Sequence, residues 1–219
     1  MNRYAVTLNG ETPLLMHNDN LHWAEVMEAW KRDPGNQKGS VPGDDRSPAW
    51  RWIGSLYVEG GRIVLPSDNL MTVLREGGKR CPTGKRGATF KSQTQSGIVV
   101  DQSSWPMQVN GKEVPFDEIK KLIGNADYYA HEALAMKLGF ELFAKRARVG
   151  TAKHVRVRPR FHSWSATGTL TVVDDQITQA TLENILTFAG TYAGVGDWRP
   201  SSPKSPGPFG KFVASVSKA

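Results

Sequence analysis

The chain has 219 residues, 28 Lys and Arg against 21 Asp and Glu for a net charge of +7, 39% hydrophobic residues and one cysteine. That apolar content suffices for one buried core, which we take as a single domain over residues 1 to 219. Cys81 alone excludes an internal disulfide and a cysteine zinc framework, and it fits a reducing compartment. The N-terminus MNRYAVTLNG lacks the pattern of a secretory leader, and no run of about eighteen apolar residues exists to span a bilayer, so a soluble, cytoplasmic protein is expected.

Tyr4 to Leu8 alternate as a first strand, and Gly10 with Pro13 breaks it before LLMHN. HWAEVMEAWKR spaces Trp23, Val26, Met27 and Trp30 as one helical face, and residues 33 to 48, rich in Gly, Pro and Asp, read as a long loop. SLYVEGGRIVLP reads as two short strands around a Gly60-Gly61 turn. SDNLMTVLREGGKR follows as a helix capped by Ser67 or Asp68, with Gly77-Gly78 as its stop. Residues 79 to 97 are basic, glycine-rich and aperiodic, the pattern of a mobile loop.

IVVDQSSWPMQV with NGKEVPF suggests a strand pair, and DEIKKLIG with YYAHEALAMKLGFELF suggests helices. Together, residues 98 to 145 read as an insertion. Ser165 to Val173 is a strand, TLENILTFAGTYAG a helix with Thr181 as cap and Leu182, Ile185, Leu186 and Ala189 on one face, and FGKFVASVSK the last strand. Stripped of insertions, this order gives an α+β fold with a ferredoxin-like βαββαβ core, its antiparallel sheet covered by helices on one face.

Seven bases lie in KRARVGTAKHVRVRPR, residues 145 to 160, which contains no acid; without them 21 bases face 21 acids. So local a surplus points to an anionic partner, nucleic acid before a membrane surface, since the bases lie among Val, Thr and Pro and not on an amphipathic helix. In KHVRVRPRF, strict alternation sends Arg156, Arg158 and Arg160 one way, with Val155, Val157 and Phe161 the other. Extended, the three guanidinium groups stand roughly 6.5 Å apart, a spacing suited to consecutive phosphates of one strand. Lys145, Arg146, Arg148 and Lys153 lead into them. Pro159 confines the segment to an edge strand, a strand end or a protruding hairpin. The plainer alternative is an edge strand charged against aggregation.

Lys79, Arg80, Lys85, Arg86 and Lys91 surround Phe90, the mixture of cations and a ring that sequence-tolerant single-strand binding uses. TGKRG fails the phosphate-loop pattern, because Lys79 stands where its first glycine belongs and Arg86 replaces its Ser or Thr, so nucleotide hydrolysis is rejected. Residues 194 to 212 set glycines around Trp198, Arg199, Lys204 and Lys211. Glycines there permit exposed amides to clasp phosphates, while Trp198 reads better as a packing anchor than as a stacking platform. The five histidines show no metal spacing, and no cofactor or small-molecule substrate is expected. His17 and His22 are the one place where acid-base cleavage of RNA is imaginable. The pairs Asp44-Asp45 and Asp174-Asp175 read as turn residues.

With TPLLMHN after the first strand, LPSDNLMTVLREGG as the first core helix, VRVRPRF, and GVGDWRP followed by FGKF, the sequence resembles the RAMP superfamily. This is the RRM-like group that includes CRISPR backbone subunits and repeat-cleaving ribonucleases, and within it the sequence looks like phage-encoded relatives sharing TPLLMH and GxGDWRP. The resemblance implies an RRM-like fold, a glycine loop near nucleic acid at Gly194, Gly196, Asp197, Trp198 and Arg199, and a basic hairpin or thumb at 145 to 160. The loop here departs from that pattern in being prolonged by SSPKSPGP. The combined expectation is a non-catalytic protein that binds single-stranded nucleic acid, DNA before RNA, with homo-oligomers along the strand. A metal-independent ribonuclease and a structural subunit docking an acidic protein are the alternatives. Charge reversal at Arg156, Arg158 and Arg160 is expected to abolish binding and leave the fold intact.

Overall fold

A computed structural model of the chain describes residues 1 to 37 and 41 to 219, Val149 by its backbone alone. In chain order, the first half comprises β1 (Asn2–Gly10), β2 (Leu14–Leu15), α1 (Leu21–Arg32), α2 (Pro34–Gln37), a 3₁₀ turn (Arg51–Ser55), β3 (Val58–Glu59), β4 (Arg62–Pro66), α3 (Ser67–Arg80) and α4 (Lys91–Ser96). The second half comprises β5 (Ile98–Val100), β6 (Ser104–Val109), β7 (Lys112–Glu113), α5 (Phe116–Lys120), α6 (Tyr128–Lys137), β8 (Glu141–Val149), β9 (Ala152–Phe161), β10 (Trp164–Val172), α7 (Gln179–Phe188), a π-helical turn (Ala189–Ala193) and β11 (Phe212–Lys218). The protein is mixed α and β with antiparallel sheets.

The main sheet runs β11-β1-β10-β6-β4-β3, with β5 also on β10 and β7 also on β6. Alternation along β1 buries Tyr4, Val6 and Leu8 opposite Leu170, Gly168 and Ala166 of β10. Helices α3 and α7 contribute Leu70, Val73, Leu74, Leu182, Ile185 and Leu186 to the same core, each side chain contributing about 1.5–3 kcal/mol by leaving water. The other face of the sheet carries Ala5, Thr7, Thr167, Thr169, Thr171 and Ser215, and the Thr7 and Thr167 hydroxyls bond each other at 3.0 Å.

Several sequence readings change here for local reasons. Gly77 and Gly78 do not stop α3 but lie buried inside it. A Cβ would stand 2.5 Å from the Ile185 carbonyl at the first and 2.1 Å from Thr94 Oγ1 at the second, so the pair lets α7 and α4 close on α3. Residues 79 to 97, expected as a mobile loop, hold the end of α3, a turn bridged at Pro82 and Thr89, and all of α4. The expected loop 33 to 48 includes residues 38 to 40, outside those described, and begins with α2. Of the stretch 98 to 145 read as an insertion, β5 and β6 join the main sheet on β10. Its last helix ends at Lys137, and Gly139 at φ +89° turns the chain into β8. The α7 cap is Thr178, whose hydroxyl accepts from the Thr181 amide. Gly60 and Gly61 do form the expected turn, at φ +57° and +75°.

A second sheet, β2-β9-β8, packs over an aromatic cluster in which Trp52, Phe140 and Phe161 meet at 4.9–5.8 Å between ring centroids. Trp52 Nε1 donates to Nδ1 of fully buried His131 at 3.2 Å, and His131 Nε2 donates to the Asn125 carbonyl at 2.9 Å. Burial holds that imidazole below its ordinary pKa, as a Nδ1 acceptor requires.

Candidate nucleic-acid interface

The segment 145 to 160 forms most of one long hairpin, β8 and β9, turning at Gly150 with φ +61°. Directly paired residues share a face: Lys145 with Arg156, Phe143 with Arg158 and Glu141 with Arg160 on one side, Arg146 with Val155 and Arg148 with Lys153 on the other. The alternation of Arg156, Arg158 and Arg160 is present as read, but the surrounding bases divide between two faces. Pro159 sits opposite Leu142 and its carbonyl accepts from the Met16 amide, which places its missing N–H on the same, β2 side, so the β8–β9 ladder loses no bond. Farther along, residues 43 to 45 cover the free edge of β9, with Val155 donating to the Gly43 carbonyl at 2.7 Å and accepting from Asp45 at 2.9 Å.

Asp45, which looked like a turn residue, is the anchor of the hairpin. Its side chain is 5% exposed and meets Arg156 at 3.2 Å, Arg158 at 3.3 Å and Arg51 at 3.4 Å, while the Val157 amide donates to it at 3.3 Å. Arg158, 15% exposed, also lies 3.5 Å from Asp197 and donates to His17 Nε2 at 3.2 Å. Burial and then the Arg158 charge hold the His17 imidazole below its ordinary pKa, against Asp197 and Asp19. Arg160 pairs with Glu141 and covers the Phe143 ring at 4.3 Å. Burial opposes ionisation of Glu141, yet Arg160 and His162 together keep its carboxyl below the usual range. The three arginines expected as a free phosphate track are therefore tied into the protein at their guanidinium ends. No signal in the sequence marks Asp45 as their partner, because it lies 111 to 113 residues away.

The glycine loop is likewise more enclosed than its composition suggests. A Cβ on Gly196 would stand 2.4 Å from the Leu15 carbonyl, and one on Gly210 would stand 1.8 Å from the Val195 carbonyl. Its amides are largely spent internally: Val195 on Gly210, Asp197 on Leu15, Ser201 on Ala193, Gly207 on Arg199 and Gly210 on Pro13. Arg199 bonds Ser201 and the Gly196 carbonyl and so holds the loop's own shape. Trp198, at φ +48°, is partly buried 5.4 Å from Phe209, and Lys145 caps its ring at 3.6 Å.

Between hairpin and loop runs a groove of about 630 Å³. Lys145, Arg146, Arg148, Arg156, Arg158 and Lys204 line it with Trp198, and Asp197 is the acid among them. Arg146, Lys153 and Lys204 make no ion pair among the described residues, so their charge faces solvent. Such a trough can hold a polyanion: cations along the walls, the Trp198 ring with Lys145 over it at one side, and a second layer of arginines fixed by Asp45 behind.

The structure does not bring the 79 to 91 residues to this groove. Lys79 pairs with Glu76, Arg80 lies over Tyr192 at 5.5 Å, Phe90 packs on the core, and exposed Lys85 and Arg86 sit in the turn between α3 and α4, where Lys91 opens the latter. Lys211 is also outside the groove lining, its amide bonded to Thr12 Oγ1 at 2.9 Å. His22 is exposed on α1, apart from His17. Cys81 is buried, which pushes its thiol pKa up and makes it a poor nucleophile. Among the described residues no cluster of His, Cys, Asp or Glu is placed to hold a metal, and no helix is long and apolar enough to cross a membrane.

No protein-family model matches the chain, and no curated protein matches it either.

Proposed function

We propose that the protein binds single-stranded nucleic acid without cleaving it, with the strand's phosphates following the groove between the β8–β9 hairpin and the loop 194 to 210. The observation that carries this reading is the groove's lining of Lys145, Arg146, Arg148, Arg156, Arg158 and Lys204 against the lone carboxylate of Asp197, beside the Trp198 ring. Cations for phosphates and a ring for a base are the elements of sequence-tolerant strand binding. Part of the same proposal is a ferredoxin-like, RRM-like core made of β1, α3, β5 with β6, β10, α7 and β11. Supporting it are the βαββαβ order of these elements and the pairing of the terminal strands β1 and β11 within the antiparallel order β11-β1-β10-β6. Membership of the RAMP superfamily, a preference for DNA, multimers along the strand and a cytoplasmic setting rest on the sequence resemblance and are proposed with it.

The test is a titration of matched DNA and RNA, single- and double-stranded, over a range of salt. Engagement of all six cations predicts a slope of log K against log salt of about −4 for single strands. Absence of binding to homopolymer strands at low salt overturns the reading. One observation favours a second reading, a metal-independent ribonuclease: His17 stands against Arg158 and Asp197 at the groove's edge. Labelled RNA that stays intact with excess protein in EDTA eliminates it. If single strands fail to compete with an acidic protein for the groove, the structural-subunit reading replaces both.

A further inference from the structure

A second cavity, of about 210 Å³, lies on the far side of Arg156 and Arg158 from the groove, and those two arginines line both. Its walls come from the segment after β2, one side of α1 from Trp23 to Lys31, Asp45 with the middle of β9, and the 3₁₀ turn Arg51–Ser55. Trp23, Met27 and Trp52 give it an apolar side, and Gly54 brings backbone against the Trp23 ring, where a Cβ would stand 1.9 Å from Cδ1. Its polar side contains groups with spent and unspent bonding capacity. Asn18 Nδ2 is committed to the Leu56 carbonyl and Asn20 Oδ1 to the Trp23 amide. The exposed Asp19 carboxylate and the Ser55 hydroxyl have no hydrogen-bond partner among the described residues, while Lys31, paired with Glu28 at 2.8 Å, and Arg51, paired with Asp45 at 3.4 Å, stand on the same lining with N–H donors to spare.

We propose that this cavity takes one base of the bound strand, with guanine preferred, while the phosphate beside that base rests on Arg156 and Arg158. The proposal rests on the strand-binding reading above. The volume suits a single ring system and is too small for a whole nucleotide, which leaves sugar and phosphate outside at the shared arginines. A carboxylate accepts, so Asp19 favours a base edge that presents donors. Guanine offers two adjacent donors, N1–H and the exocyclic amine, and its O6 accepts from a cation such as Lys31 or Arg51; adenine and cytosine offer only the amine, and thymine and uracil a single N–H between two carbonyls. The remaining bases lie in the groove, where contacts to backbone and ring do not discriminate. Sequence preference is thus confined to one position per bound molecule.

The test compares a thymidine homopolymer with the same strand carrying a single central guanine, adenine or cytosine. The guanine strand is expected to bind about tenfold tighter than the homopolymer. Asp19→Asn and Ala24→Phe, the latter placing a ring in the cavity from an exposed site on α1, are each expected to erase that difference, read as the ratio of guanine-strand to homopolymer affinity in the same variant. Equal binding of all four strands by the natural protein, or a guanine preference that survives both substitutions, overturns the base site with the groove reading intact. Failure of every strand to bind overturns the groove reading itself.

Discussion

Replacing Asp45 by Asn separates the part of the hairpin that holds the protein together from the part proposed to meet nucleic acid. The substitution keeps size and an acceptor for the Val157 amide but removes the negative charge that Arg51, Arg156 and Arg158 share within 3.4 Å. Removing one partner of a buried ion pair costs about 3–5 kcal/mol. Arg51 and Arg156 are 31% and 34% exposed and recover some hydration, whereas Arg158 at 15% recovers little. The loss is therefore set near the bottom of that range, about 3 kcal/mol, which shifts a urea midpoint by roughly 1 M. Tryptophan fluorescence reads the transition, since Trp50 and Trp52 are buried beside Arg51. In parallel, Arg146→Gln with Arg148→Gln removes two groove charges on exposed side chains, with an expected stability change under about 0.5 kcal/mol each and a salt slope for strand binding shallower by roughly 1 to 1.5. An unchanged urea midpoint for Asp45→Asn, or an equal loss of stability in the double variant, refutes that division of the hairpin.

Trp198→Ala is expected to weaken homopolymer binding about tenfold at fixed salt, while Trp198→Phe retains most of it, as a titration series measures. For His131, burial lowers the folded pKa, so its contribution to stability is present above the ordinary value of about 6.5 and is lost as pH falls from there toward the lowered one. The melting temperature should fall between pH 6.5 and 5, and His131→Leu should be less stable at pH 7 yet show a smaller acid slope. Gly190→Ala puts a Cβ 1.9 Å from the Phe212 carbonyl, a backbone atom that cannot step aside, and is expected to cost more than about 2 kcal/mol in denaturant unfolding. Gly60→Ala, in open space at φ +57°, should cost only about 1 kcal/mol.

What could be read from sequence was whatever depends on near neighbours. The alternation that sends Arg156, Arg158 and Arg160 to one face is a property of a strand, and it holds. The turn at Gly60-Gly61 and the apolar stripe of α7 are equally local. Partners distant in sequence were invisible. Asp45, Asp197 and Glu141 neutralise much of the arginine row, yet nothing adjacent to them marks that role, and Asp44 beside Asp45 does behave as a turn residue by accepting the Arg46 amide. Gly77 and Gly78 misled for the same reason: a glycine that ends a helix and one that admits a neighbouring helix are alike until the neighbour is known. The loop 194 to 210 shows this most fully, since its glycines accommodate carbonyls of Leu15 and Val195 and not an incoming phosphate.

The outward face of β1, β10 and β11 carries threonines and serines with Arg3, Ala5, Asn9 and Val213, and no ring, so it offers a base no platform of the kind on which RRM sheets stack theirs. On the proposed reading a bound strand follows the groove between the β8–β9 hairpin and the loop 194 to 210, and the length of β9 sets how much of it is covered. Ten residues of β9 at about 3.3 Å each, matched to phosphates roughly 6.5 Å apart, cover about five nucleotides. Stoichiometric titration on long homopolymers would reveal so small a footprint directly, as one molecule for every five or so nucleotides.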